Sequence, residues 1–218
     1  MKYTAVLFDL DGTLIDTNEL ILASFMHTLQ EHCPGKFCEA DVIPHLGEPL
    51  QDQMKRFDPN QVEQMVHTYR VFNRAWHDHY VTAFPGVVEV LHELKKRSVK
   101  LAVVTNKGRE MAERGLQLFG LNKWIDQIVC VDDTSQPKPA PDMILLALQQ
   151  LNILKTEAVM VGDSRFDLLA AQRAGVDRIA VKWSLHWKEL EMYQPDDYLE
   201  TMNDLLPIVL GTKKEPAR

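Results

Sequence analysis

The sequence predicts an α/β fold, a doubly wound parallel sheet with an inserted α-helical domain. Two observations predict it. Five short apolar runs rich in Val, Leu and Ile lack polar alternation, the pattern of strands buried on both faces of a parallel sheet. Amphipathic stretches of helical period separate the later runs, whereas a long strand-free stretch separates the first run from the second.

The first strand is expected over residues 4–8. Residues 17–32 then carry helical spacing through Leu22, Phe25, Met26 and Leu29. The segments Cys33-Pro34-Gly35 and His45-Leu46-Gly47-Glu48-Pro49 interrupt it. Asp58-Pro59 reads as an N-cap followed by proline at the first helical position, opening a helix through Val62, Met65, Val66 and Tyr69. The stretch from about residue 15 to 83 thus predicts a second, helical domain with hinge segments near 15–18 and 81–86. The expected boundaries are 16–83 for this insert and 1–15 with 84–218 for the core. Val87, Val90, Leu91 and Leu94 form the next helical stripe, followed by strands over 100–105 and 127–131. Ile144, Leu145, Leu148 and Leu151 form another stripe, followed by strands over 158–161 and 178–181. Gly120 and Gly175 stand just past helical patterns, where a left-handed residue ends a helix. Trp183, Trp187 and Tyr193 read as packing under the last helices, and residues 211–218 as a frayed tail.

Composition narrows the function classes. The 45% hydrophobic and 25% charged content is that of a soluble globular chain of 218 residues. A net charge of -7 with dispersed Lys and Arg argues against a nucleic-acid surface. No window approaches the roughly 18 apolar residues of a membrane span, and the N-terminus runs straight into a strand without a leader pattern. A cytoplasmic location is therefore expected. The three cysteines, Cys33, Cys38 and Cys130, lack zinc spacing and read as reduced thiols.

Ligands of open α/β sheets bind beyond the carboxyl ends of the strands, so the residues following each strand carry the chemistry. They are Asp9-Leu10-Asp11-Gly12-Thr13-Leu14, then Thr105-Asn106-Lys107, then an acidic loop leading to Lys138, then Gly162-Asp163-Ser164-Arg165-Phe166-Asp167. Four carboxylates brought together repel one another unless a cation neutralises them. Oxygen ligands without His or Cys point to Mg²⁺. The Thr105 hydroxyl and the Lys138 charge suit a phosphate, and Gly12 permits a tight turn whose N–H groups approach the same anion. Phosphoryl transfer needs this set of a nucleophile, a metal, oxyanion donors and an acid–base group.

Asp9-x-Asp11-x-Thr13, Thr105, Lys138 and Gly162-Asp163-x-x-x-Asp167, in this order on successive strands, resemble the four motifs of the haloacid dehalogenase superfamily. The helical insert resembles that superfamily's type I cap. The resemblance implies that Asp9 is the nucleophile and Asp11 the acid–base residue. It implies a Mg²⁺ held by the Asp9 carboxylate, the Asp11 backbone carbonyl and the Asp163 carboxylate, with Asp167 orienting Lys138 or a metal-bound water. Thr105, Asn106 and Lys138 would bind the transferring phosphoryl group. Segments of the insert, among them Asp16-Thr17-Asn18-Glu19-Leu20 and Tyr69-Arg70-x-Phe72-Asn73, are similar to bacterial inorganic pyrophosphatases of the PpaX type, within the phosphoglycolate-phosphatase-like branch. That similarity implies pyrophosphate as substrate, linked to phosphorolytic dephosphorylation of a seryl-phosphorylated HPr carrier protein. The alternative is 2-phosphoglycolate or another small monoester.

In the insert, Arg70, Asn73 and His77 share one helical face, which either points into the cleft or is solvated. Arg70 is the expected contact to the second phosphoryl group; Glu19 and Arg56 are weaker candidates. A phospho-receiver module combines similar residues but carries its phospho-accepting Asp on the third strand and has no insert. A dehalogenase needs no Asp at position 11, and a phosphonate hydrolase wants a cap lysine where only Lys36 and Lys55 exist. The sequence leaves the oligomeric state open.

Overall fold

A computed structural model describes residues 1–212; the rest of the tail expected to fray, residues 213–218, lies outside the described residues. The chain begins with β1 (Ala5–Phe8) and the two-residue β2 (Ile15–Asp16). The insert follows as α1 (Asn18–His32), α2 (Glu39–Val42), α3 (Leu50–Phe57) and α4 (Val62–Tyr80). The chain returns through β3 (Thr82–Ala83) to α5 (Val87–Lys96), β4 (Lys100–Thr105), α6 (Arg109–Leu118) and β5 (Gln127–Cys130). Next come α7 (Asp142–Leu151), β6 (Ala158–Gly162), α8 (Arg165–Ala174) and β7 (Asp177–Val181). Finally come α9 (Trp187–Leu190), β8 (Asp197–Leu199) and α10 (Leu205–Leu210).

The main sheet is parallel throughout, in the order β5-β4-β1-β6-β7-β8. From β1 the chain winds outward to β5, then crosses to the other side of β1 and winds outward again. The carboxyl end of β1, between β4 and β6, is therefore the switch point where such sheets open a crevice. Strand alternation divides the core. Ala5 and Leu7 pack on one face with Met143, Ile144 and Ala147 of α7 and Ala170 of α8, whereas Val6 and Phe8 pack on the other with Leu91 of α5 and Leu116 of α6. All four residues of the α5 stripe are fully buried. In the α7 stripe Leu145 is 47% exposed, and Met143 and Ala147 take the buried positions beside Ile144 and Leu148. A residue directly after Ile144 turns about 100° away from the sheet.

The insert has its own apolar cluster, in which Phe25 and Leu29 of α1 meet Met54, Met65 and Val66. The Phe25 and Tyr69 rings lie 4.9 Å apart between α1 and α4. Beneath it, β2 and β3 pair antiparallel, Ile15 with Ala83 and Asp16 with Thr82, so both connections to the core run side by side. These two-residue strands and β8 were not expected, because strands this short carry no readable period. The helix expected to open at Asp58-Pro59 begins at Val62 with Gln61 as N-cap. Asp58 instead receives the Asn60 N–H at 2.9 Å and the Gln61 Nε2 at 2.8 Å, while its own N–H donates to Met54 at 3.0 Å, closing α3. Trp183 packs on Phe84 and donates its indole N–H to the Gly12 carbonyl at 3.0 Å; Tyr193 packs by Leu168 and Leu190. The three cysteines are free thiols.

Candidate active site

The loop after β1 is built around one backbone oxygen. The Leu10 carbonyl accepts the N–H groups of Leu14 at 3.0 Å and Ile15 at 3.1 Å, which curls the chain back at once. Gly12 sits in this curl at φ +76°, and a Cβ there would overlap the Asp163 carboxylate. Glycine is thus required twice over, for its backbone conformation and for the approach of the two loops. The Ser184 hydroxyl holds the other side of Asp163 by donating to its backbone carbonyl at 2.6 Å.

Asp9 leaves β1 with its N–H bonded to Val161 of β6 at 2.9 Å, so the sheet fixes its main chain. Lys138 enters from the loop before α7, only 2% exposed. Its ammonium donates to Asp9 Oδ1 at 2.8 Å, Asp167 Oδ1 at 2.6 Å and the Val104 carbonyl at 2.8 Å. An ammonium has three donors, and all three are committed. The second Asp167 oxygen accepts the Ser164 N–H at 3.0 Å and hydroxyl at 2.6 Å. Asp167 is fully buried with both oxygens engaged, whereas Asp9 Oδ2 accepts no hydrogen bond from any described residue and faces the cleft.

Asp9, Asp163 and Asp167 present carboxylate oxygens within 4.8 Å of one another. Burial pushes Asp9 up to about 7 against the pull of Lys138, with Asp167 and Asp11 adding to the rise. Burial, then the charges of Asp9 and Asp167, raise Asp163 well above the usual carboxylate range. Burial opposes the Lys138 ammonium, but Asp167 and Asp9 outweigh it and hold Lys138 above its ordinary value. One ammonium among three carboxylates leaves an excess of negative charge. The donor set contains only oxygens, and it fits a hard divalent cation.

The remaining predicted residues divide into those at the cleft and those away from it. Thr105 is buried at the end of β4, its hydroxyl accepting the Lys107 N–H at 3.1 Å. Asn106 braces the Lys138 main chain, accepting its N–H at 2.9 Å and donating to its carbonyl at 3.0 Å. The Asp11 carboxylate lies apart from the acidic cluster and accepts from Lys107 Nζ at 2.7 Å. Arg70 lies on the cap side of the cleft, exposed, its guanidinium without an ion-pair or hydrogen-bond partner among the described residues. Asn73 is buried and donates to Ser24 Oγ at 3.2 Å, tying α4 to α1. His77 is fully buried beside Ile15 and Gly115 and pairs with Asp78 at 2.8 Å. The shared face of α4 is therefore exposed at Arg70 and buried at Asn73 and His77. Glu19 is exposed away from the cleft, and Arg56 is paired with Glu48 at 3.0 Å.

The cleft between the helical insert and the main sheet encloses about 770 Å³. Sequence reasoning missed two of its contributors. Lys107 was visible as the residue after Thr105-Asn106, but nothing local indicated that its ammonium meets Asp11. Glu48, in a helix-breaking segment with no period to read, is buried and accepts from Arg165 of the core at 3.1 Å.

The chain matches the haloacid dehalogenase-like hydrolase family over residues 6–181. It is 48% identical over 216 residues to a protein of Caldanaerobacter subterraneus subsp. tengcongensis provisionally named pyrophosphatase PpaX, covering 99% of this chain and 98% of that one. It is 44% identical over 208 residues to pyrophosphatase PpaX of Bacillus velezensis, covering 95% and 96%. Among solved structures, a haloacid dehalogenase-like hydrolase of Streptococcus pneumoniae superimposes with a TM-score of 0.85 at 27% identity, covering 95% of this chain and 98% of that one. CbbY of Rhodobacter sphaeroides, solved with phosphate, gives 0.79 at 25% identity, covering 94% and 96%. With the parallel sheet, the switch-point crevice and the acidic cluster in place, the chain belongs to the haloacid dehalogenase-like hydrolase family and is a phosphohydrolase.

Proposed function

We propose that the protein hydrolyses inorganic pyrophosphate to two phosphates in a Mg²⁺-dependent reaction through a phosphorylated Asp9. The observation that carries the chemistry is the Asp9 carboxylate, with one oxygen held by Lys138 at 2.8 Å and the other open to the cleft. Residues 16–83 act as the cap that closes over the substrate, and the core supplies the reacting groups; the separate apolar cluster of the insert supports that division.

The Asp9 and Asp163 carboxylates and the Asp11 backbone carbonyl would hold the cation, since Asp167 is fully engaged by Lys138 and Ser164. When bound, Mg²⁺ neutralises the phosphoryl oxygens and polarises the phosphorus they surround. Lys138 keeps Asp9 oriented and balances part of the charge on the phosphoryl group. The Thr105 hydroxyl and the Asn106 backbone N–H stand at the same strand end to position that group, while the Asn106 side chain braces Lys138. Asp9 Oδ2 forms the new bond to phosphorus as the bond to the leaving oxygen breaks. Asp11 gives a proton to that oxygen and then takes one from the water that cleaves the aspartyl phosphate.

The substrate assignment rests on the pyrophosphatase names of relatives that match nearly the whole chain, cap included, and on the Arg70 guanidinium at the cap wall, which has no partner among the described residues. The similarity of the cap segments to PpaX-type enzymes supports a link to dephosphorylation of seryl-phosphorylated HPr by phosphorolysis, a reaction that generates pyrophosphate. The deciding experiment is phosphate release with Mg²⁺ from pyrophosphate, 2-phosphoglycolate and several sugar phosphates. Pyrophosphate is expected to give the highest kcat/KM; a higher value for 2-phosphoglycolate replaces this assignment with the small-monoester one.

A further inference from the structure

Three cations at the cleft other than Arg70 and Lys107 are already committed. Lys138 uses its three donors on Asp9, Asp167 and Val104. Arg74 is paired with Glu110, and Arg109 with Glu113 and Asp133. Lys107 differs. Its side chain is 11% exposed, and its ammonium makes one bond, to Asp11 Oδ1 at 2.7 Å. The other two N–H donors have no acceptor among the described residues. A desolvated ammonium with donors to spare, at the wall of a cleft, is a site for a further anion.

We propose that Lys107 binds the leaving group, and that it makes the enzyme favour substrates whose departing fragment is itself an anion. The inference rests on the reading of Asp9 as nucleophile and Asp11 as leaving-group acid. A leaving oxygen that takes a proton from Asp11 lies about 2.6–3.2 Å from that carboxylate. Lys107 Nζ is 2.7 Å from the same carboxylate, so the departing group and the ammonium flank one carboxylate and a side-chain rotation suffices to bring them together. The main chain of residue 107 is pinned, its N–H on Thr105 Oγ1 at 3.1 Å and its carbonyl accepting the Val131 N–H at 3.4 Å. The ammonium therefore needs only side-chain rotation to pass from Asp11 to the substrate.

The step balances with pyrophosphate and water alone. Asp9 Oδ2 bonds to one phosphorus, and the bridging P–O bond breaks with its electron pair left on the departing phosphate. The charge that develops on that oxygen forms beside Lys107, and its proton comes from Asp11. Water then cleaves the aspartyl phosphate, releasing the second phosphate and restoring Asp9. A neutral departing alcohol gives Lys107 no second anion to hold, and Lys107 then stays on Asp11.

The test compares kcat/KM for pyrophosphate and for glycerol 2-phosphate, whose leaving fragment is a neutral alcohol once Asp11 has protonated it. Wild type, Lys107→Met, Lys107→Gln and Lys107→Arg are assayed with Mg²⁺ after circular dichroism confirms folding. Lys107→Met and Lys107→Gln should lower the pyrophosphate to glycerol 2-phosphate ratio roughly ten- to a hundredfold, the scale of one lost charge-assisted hydrogen bond. Lys107→Arg should restore part of the ratio. Calorimetry should show methylenediphosphonate losing more affinity than orthophosphate in the Met variant. An equal fall for both substrates would mean that Lys107 only positions Asp11, and an unchanged ratio would mean that the pair is structural; either overturns the proposal. If wild type releases no phosphate from pyrophosphate, the pyrophosphatase reading fails on its own. The Lys107 assignment is then decided by the same ratio with 2-phosphoglycolate, whose leaving fragment is a carboxylate.

Discussion

Asp9 is the residue on which the site turns, because its burial leaves it short of positive charge while Lys138 fixes one of its oxygens at 2.8 Å. Under the proposed mechanism, Asp9→Asn removes the attacking carboxylate and one cation ligand together. Turnover should fall by roughly a thousandfold or more, with circular dichroism unchanged because the amide fits the same space. Residual activity within tenfold of wild type would remove Asp9 from the mechanism. Arg70 presents the opposite situation, a guanidinium with no partner among the described residues. Its planar fork suits the second phosphoryl group of pyrophosphate, and one such contact in a closed cleft is worth about 1.5–3 kcal/mol. Arg70→Ala should therefore lower kcat/KM for pyrophosphate roughly ten- to a hundredfold more than for a sugar phosphate. Parallel losses would place substrate selection elsewhere on the cap.

Elements meet across the cleft through Glu48, which joins the loop before α3 to the start of α8. Its carboxylate is shared between Arg56 of the cap at 3.0 Å and Arg165 of the core at 3.1 Å, and Arg165 also holds Glu189 at 2.9 Å. If the cap swings away, Glu48 keeps Arg56 and Arg165 keeps Glu189. Neither the buried Glu48 nor the half-buried Arg165 is left alone, so under the proposed cap reading this contact would favour closure without a large cost to opening. Glu48→Gln should raise KM for pyrophosphate several-fold with a smaller change in kcat, read by steady-state kinetics. A second inter-element contact lies at the far edge of the sheet, where Asp126 receives Lys95 of α5 at 2.7 Å and the Leu101 N–H of β4 at 2.8 Å. Burial opposes the Asp126 carboxylate, but the Lys95 and Leu101 bonds outweigh it and lower its pKa. A lowered folded pKa gives stability that is complete above the unfolded value of about 3.9 and lost as pH falls through the folded one. Asp126→Asn should cost about 1 kcal/mol at pH 7 and progressively less below about pH 4, measured by urea unfolding across that range.

For the whole molecule, the cation is expected to act on both stability and turnover, because it offsets repulsion among three carboxylates contributed by the loops after β1 and β6 and by the first turn of α8. Removing divalent ions with a chelator should abolish phosphate release, and Mg²⁺ should restore it. Ca²⁺ should inhibit, since it accepts more oxygens in looser geometry and spoils the alignment of the attacking carboxylate. Mg²⁺ should also raise the Tm of wild type, by an amount that grows with its concentration, and should do so far less in Asp163→Asn. A Tm indifferent to Mg²⁺ in wild type would remove the acidic cluster as its site.

The apolar runs and the Asp9-to-Asp167 motif order were enough to read the parallel sheet and the edge that carries the site. A fully buried strand or a motif loop announces itself within a few residues, through period or through an uncommon residue string. The helical insert was legible for the same reason, as was the Gly12 turn. The short strands β2, β3 and β8 were not, since two or three residues show no period and owe their pairing to neighbours distant in sequence. Nor did spacing reveal which side of α4 faces what: Arg70, Asn73 and His77 share a face, yet only packing against α1, Ile15 and Gly115 decides that two of them are buried. The pairs most informative about function, Lys107 with Asp11 and Glu48 with Arg165, join residues 96 and 117 positions apart. Local preference cannot specify such contacts. They exist because the sheet sets the two motif loops side by side and the paired strands β2 and β3 return the insert over them.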